Sequence, residues 1–114
     1  MQLAEGNMRE ECMTTKDKYR NELLYKMPKE LDHHCAKALI MSIDNLIEKR
    51  KVKTLVLDFS ETCFMDSSGI GVIIGRGRKM KFMDGELMVC GISPRIERIF
   101  EASGLYKLVK VRED

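Results

Sequence analysis

The stretch TLVLDFSETCFMDSSGIGVIIG, residues 54–75, decides the fold. Its first six residues, Thr54 to Phe59, are too few for an ordinary helix and nearly continuous in hydrophobicity, as a strand covered on both faces would be. They predict a central strand. After the loop Ser60 to Asp66, Ser67 and Ser68 can cap a helix carrying Ile70, Ile73 and Ile74. That helix runs into Arg76, Arg78, Lys79 and Lys81, so positive charge gathers at its C-terminal end, where the helix dipole favours it.

Working outward, Glu22 to Met27 is a short apolar-rich run closed by Pro28 and reads as a strand. From Ala36, Leu39, Ile40, Ile43, Leu46 and Ile47 recur at three- and four-residue steps, which predicts an amphipathic helix ending near Arg50 and Lys51. Asp32 stands before it as an N-cap. Downstream, Asp84-Gly85 forms a turn and Leu87 to Cys90 a strand. Ser93-Pro94 opens a helix with an Ile96, Ile99, Phe100 stripe, which Gly104 closes. Leu105 to Val111 is expected as a final strand. Strand and helix alternate throughout, so the chain is expected to be an α/β protein, with a mostly parallel or mixed central sheet flanked by amphipathic helices. Residues 1–20 carry charge without a hydrophobic period and are expected to be a poorly specified lead or edge strand. Residues 21–114 form the domain.

The chain's 114 residues suit one core. Hydrophobics at 44% and charged residues at 33% describe a globular protein. Twenty Lys and Arg against eighteen Asp and Glu leave +2, far from the basic footprint of a nucleic-acid binder, so no direct nucleic-acid partner is expected. No apolar window approaches a membrane span and the first twenty residues lack a signal peptide's apolar stretch, so a cytoplasmic protein without membrane contact is expected. Cys12, Cys35, Cys63 and Cys90 are dispersed, with no CxxC pair, and read as reduced thiols rather than disulfides or metal ligands.

The cluster Met65-Asp66-Ser67-Ser68-Gly69-Ile70-Gly71 carries the functional signal, because a strand-to-helix junction exposes unpartnered amides that favour an anion. A plain capping turn is one reading of it. A dinucleotide site is another, since Gly69, Gly71 and Gly75 follow a strand. However, Ile74 occupies the third-glycine position and the strand ending Val89-Cys90-Gly91 lacks the acidic residue for a ribose. A serine nucleophile is the third, without GxSxG and with the only imidazoles, His33 and His34, at a different helix start. Asp32-His33-His34-Cys35 spells the DHHC string of membrane palmitoyltransferases. Four adjacent residues at a helix start cannot all face one metal, and an N-cap Asp with first-turn histidines accounts for them.

Three motifs together resemble the STAS-domain anti-sigma factor antagonists, nearest to those of the sporulation sigma-F system. They are Glu30-Leu31-Asp32-His33-His34, then Phe64-Met65-Asp66-Ser67-Ser68-Gly69-Ile70-Gly71-Val72-Ile73, and Met88-Val89-Cys90 with Ile92-Ser93-Pro94 and Ser103-Gly104-Leu105. The likeness runs from about Glu22 to the C-terminus. It implies a STAS domain that binds an anti-sigma factor which is also a serine kinase, thereby releasing a sigma factor. The kinase then inactivates the antagonist, and a serine phosphatase restores it. It implies Ser67 as phosphoacceptor and Asp32, Asp66, Ser68, Gly69, Ile70 and Ile99 as partner-binding residues, with no catalytic residue, metal or cofactor: a regulator, not an enzyme. A STAS scaffold or sensor subunit without a kinase cycle is the alternative. Met27-Pro28-Lys29 departs from the glycine usual before Glu-Leu-Asp.

Overall fold

Four short strands build one parallel sheet, seen in a computed structural model that describes residues 21–112. The expected N-terminal lead or edge strand over residues 1–20 lies outside the described residues. In chain order the elements are β1 (Glu22–Lys26), β2 (Glu30–Leu31), α1 (His33–Arg50), β3 (Thr54–Asp58), β4 (Phe64–Met65), α2 (Ser67–Phe82), β5 (Glu86–Cys90), α3 (Pro94–Ser103), a 3-10 turn (Leu105–Lys107) and β6 (Lys110–Val111).

Among the described residues the sheet order is β1-β3-β5-β6, with every pairing parallel. β3 is central, as its composition requires. Each crossover moves one strand further in the same direction, and right-handed crossovers of that kind put all their helices on one face. The burial pattern agrees. Leu23, Leu55, Leu57, Leu87 and Val89 join one core with Ile43 and Ile47 of α1, Ile73 and Met80 of α2, and Ile96 and Phe100 of α3. Burying each such side chain contributes about 1.5–3 kcal/mol.

The helices cover one face of the sheet, and β3 is buried on both faces as its continuous hydrophobicity predicts, Leu55, Val56 and Leu57 all being fully buried. On the other face, register aligns Leu24, Val56 and Met88 in one cross-strand row. Leu24 is exposed while Val56 is fully buried. The same face carries an ion pair between Arg112, just beyond β6, and Glu22 of β1, the far edge strand. Those long side chains span the outer face diagonally.

Two further differences have local causes. The expected strand from Leu105 to Val111 begins as a 3-10 turn, because Gly104 stands in the left-handed region (φ 74°) and turns the chain back, leaving only two residues to pair with β5. The loop after β3 contains β4, which pairs in parallel with β2 as a separate two-stranded ladder. Neither two-residue strand is long enough to show a period in sequence.

Phe100 is fully buried, edge-on to Phe59 at 5.5 Å and against Tyr106 at 5.4 Å. Phe100→Ala should cost about 3–5 kcal/mol, whereas Leu24→Ala, on the outer face, should change stability by less than about 0.5 kcal/mol. Urea midpoints at constant slope check both.

Candidate functional site

The β2–β4 ladder ends where two helices begin. Leu31 pairs with Met65, so Asp32 and Asp66 follow side by side and α1 and α2 start next to each other. The Asp66 N–H donates to the Leu31 carbonyl at 3.2 Å, which extends the ladder one step into the junction. Each helix is capped by its own aspartate. Asp32 Oδ1 accepts from His34 N at 3.0 Å. Asp66 does more: Oδ1 accepts from Ser68 N at 2.8 Å and Gly69 N at 3.1 Å, while Oδ2 accepts from His33 N at 3.2 Å.

Thus Asp66, not Ser67 or Ser68, is the N-cap of α2, which corrects the capping role expected for the serines. Asp66 has extended backbone angles and its carboxylate reaches the N–H groups of the second and third helical residues, the geometry a cap requires. Ser67 is already the first helical residue. Its side chain is exposed and makes no hydrogen bond among the described residues. The Ser68 amide is committed to the cap and its residue is half-buried.

Gly69 is buried, and a Cβ there would lie 2.6 Å from the Leu31 carbonyl oxygen and 2.6 Å from Met65 Cγ. Only glycine lets α2 approach β2 this closely. Gly71, two residues on, has open space at the same position. Ile70 and Ile99 are half-buried against the core. Arg95, in the first turn of α3, donates to the Cys63 carbonyl at 3.3 Å and ties that helix to the approach to β4. Ile99 lies one turn further along the face that Arg95 presents.

The histidines belong to this junction. His33 Nδ1 lies 3.5 Å from Asp66 Oδ2 and His34 Nδ1 3.7 Å from Asp32 Oδ2, with the two rings 4.0 Å apart. Partial burial works to raise the Asp66 carboxyl, but the hydrogen bonds from Gly69, His33 and Ser68 outweigh it and hold it below the usual aspartate value. Met27-Pro28-Lys29 is absorbed locally: Met27 is buried and its N–H bonds Asp58 O at 2.8 Å, while the Thr62 hydroxyl donates to Pro28 O at 2.7 Å. Among the described residues no group of three or more His, Cys, Asp or Glu is placed to hold a metal ion, and no helix is long and apolar enough to cross a membrane.

Sequence reasoning had Asp32 as a cap and the Asp-Ser-Ser-Gly junction, but missed the ladder joining them and the role of His33. A signal was present: Leu31-Asp32-His33 and Met65-Asp66-Ser67 repeat the order apolar, aspartate, polar before a helix.

Known proteins share this fold. The STAS domain family model matches residues 13–114. The anti-sigma F factor antagonist of Paenibacillus polymyxa is 35% identical over 96 residues, covering 84% of this chain and 82% of the relative. The anti-sigma-B factor antagonist of Staphylococcus aureus strain NCTC 8325 is 30% identical over 100 residues, covering 88% and 89%. Among solved structures, the unphosphorylated form of the anti-sigma factor antagonist SpoIIAA superposes with a TM-score of 0.72 at 29% identity over 83% of each chain. The phosphorylated form of the Bacillus cell fate determinant SpoIIAA gives 0.66 at 29% identity, over 83% of this chain and 86% of that one.

Gly69→Ala should destabilise the protein by about 1–3 kcal/mol through overpacking, while Gly71→Ala should stabilise it by about 0.5–1 kcal/mol through helix propensity. Paired denaturation curves distinguish the two. Because the Asp66 carboxyl is held low in the folded state, its contribution is complete above the unfolded aspartate value near 3.8 and is lost as pH falls through the lower folded value. Asp66→Asn should therefore flatten the loss of stability as pH falls below the unfolded aspartate value near 3.8, read as urea midpoints against pH.

Proposed function

We propose that this chain, which belongs to the STAS domain family, is an anti-sigma factor antagonist switched by phosphorylation at Ser67. Unmodified, it binds an anti-sigma factor that is also a serine kinase and displaces a sigma factor. Phosphorylation by that kinase ends the interaction, and a serine phosphatase renews it. The protein acts by binding and performs no chemistry of its own. Its setting is the cytoplasm, without nucleic-acid or membrane contact.

One observation carries the reading. The hydroxyl of Ser67 stands exposed at the first turn of α2 and is spared from capping because Asp66 does that work. A kinase can take such a hydroxyl without unfolding the helix. Asp32, Asp66, Ser68, Gly69, Ile70 and Ile99 form the partner surface around it, with Gly69 acting through the close approach of α2 rather than through a side chain. The names of the relatives support the antagonist role. The two forms of SpoIIAA support the switch, since that protein is solved both with and without phosphate.

The electrostatics give the direction of the switch. Phosphate adds about −1.5 to −2 charge at neutral pH. The α2 dipole favours an anion at that end, so the fold should persist. The neighbouring Asp66 and Asp32 carboxylates already make the junction acidic, however, and a partner matched to the hydroxyl form would meet a bulky dianion that it must desolvate.

Incubation with an anti-sigma kinase and ATP should place phosphate on Ser67, read by mass spectrometry. Ser67→Ala should bind that kinase and stay unphosphorylated, and Ser67→Asp should bind roughly tenfold or more weakly with its melting temperature retained. Phosphate on Ser68 with Ser67 unmodified would overturn the assignment.

A further inference from the structure

The far end of α2 carries a second surface of opposite charge. A groove of about 670 Å³ opens between the last turns of α2, the start of β5 and the segment running from the 3-10 turn into β6. Its volume falls in the range of specific binding sites, roughly 300–1,000 Å³. Leu87, Leu108 and Val109 give it apolar lining, and Leu108 is 38% exposed. Gly77 is buried at its border, where a Cβ would meet Leu87 Cδ2 at 3.4 Å and Leu108 Cβ at 3.6 Å, ordinary contact distances.

Cations line the rim. Arg78, Lys81 and Lys107 are exposed and make no ion pair among the described residues. Lys110 is held by Glu86 at 3.0 Å, with its side chain 73% exposed. Tyr106 adds a phenol, a hydrogen-bond donor at neutral pH, which burial together with Glu97 and Glu101 shifts above its ordinary range. Lys81 complements the dipole at the end of α2, and with Arg78 and Lys107 it makes three cations without a carboxylate partner among the described residues, over an apolar floor.

We infer that this groove is a second docking surface, for an acidic amphipathic segment of a partner protein. Carboxylates of the segment meet Arg78, Lys81 and Lys107, and its apolar side chains lie against Leu108 and Val109. Two features select a chain over a compact small molecule. The groove is elongated along the segment from Tyr106 to Lys110, which leads into β6 at the end of the sheet order among the described residues. The apolar floor and separated cations also match alternating apolar and acidic residues, where a small anion would use the charges alone.

Position gives the surface its use. Ser67 and Arg78 are eleven residues apart on α2, about 16 Å along its axis. A partner can therefore hold the domain by the basic groove while the acidic junction around Asp32 and Asp66 stays open to a second protein, in either state of Ser67.

The test is an amide NMR titration of the full chain with a twelve-residue peptide of alternating Glu and Leu, alongside its Lys-Leu counterpart, inorganic pyrophosphate and an oligo(U) RNA. The expected result is saturable shifts for Gly77 to Lys81 and Tyr106 to Lys110 with the Glu-Leu peptide below about 1 mM, and none at Asp32 or Ser67 to Gly71. Arg78→Glu with Lys107→Glu should weaken it roughly tenfold or more at an unchanged melting temperature. No saturable shift, equal binding of the Lys-Leu peptide, or equal or tighter binding of pyrophosphate or RNA would overturn the inference.

Discussion

The Asp66 carboxylate holds together the part of the molecule on which everything else is arranged. With one oxygen it closes the N-terminus of α2, and with the other it takes the first amide of α1. Unsatisfied amides at a helix start cost free energy wherever water is excluded, and here one side chain satisfies three of them across two helices. The junction has no slack. Leu31 and Met65 lie level in the short ladder, and the absent side chain of Gly69 lets α2 sit against the Leu31 carbonyl. An acidic, tightly bonded turn thus presents a free serine hydroxyl beside a second helix start.

Behind the junction, α1 and α2 are joined by a charge pair of a different kind. Arg76 Nε lies 3.1 Å from Asp44 Oδ1, with Arg76 only 8% exposed and its Nη1 buried without a hydrogen-bond partner. Such a pair adds little net stability, but removing one member leaves an uncompensated charge, so it fixes how the two helices register more than how strongly they adhere. Lys79 and Glu48, 2.7 Å apart and nearer the surface, repeat the connection one turn on. The two helix starts that meet at Asp66 are therefore also aligned along their length, and the acidic and basic ends of α2 are carried by one rigid rod.

Much of the fold was legible because the physics that makes it is local. β3 declared itself by a continuous aliphatic run, α1 by its period, and α3 by Ser93 at the N-cap, Pro94 after it and Gly104 at the C-cap. Capping was harder to read. Asp66, Ser67 and Ser68 are all good cap residues, and only the direction of the Asp66 carboxylate shows which one the helix uses.

By itself, the sequence determined the alternation of strands and helices, the central place of β3, the capping role of Asp32 and the family to which the three motifs belong. These rest on periodicity and on residues acting on their immediate neighbours. Tertiary structure alone decided the gathering of the three helices on one face of the sheet, the pairing of β2 with β4, the bridging role of Asp66, and the meeting of α2 with the β6 segment that opens the basic groove. The physical reason is sequence distance. Asp66 and His33 are 33 residues apart in sequence yet bond at 3.2 Å, and nothing local to either residue specifies that they meet until the strands pair and the helices pack.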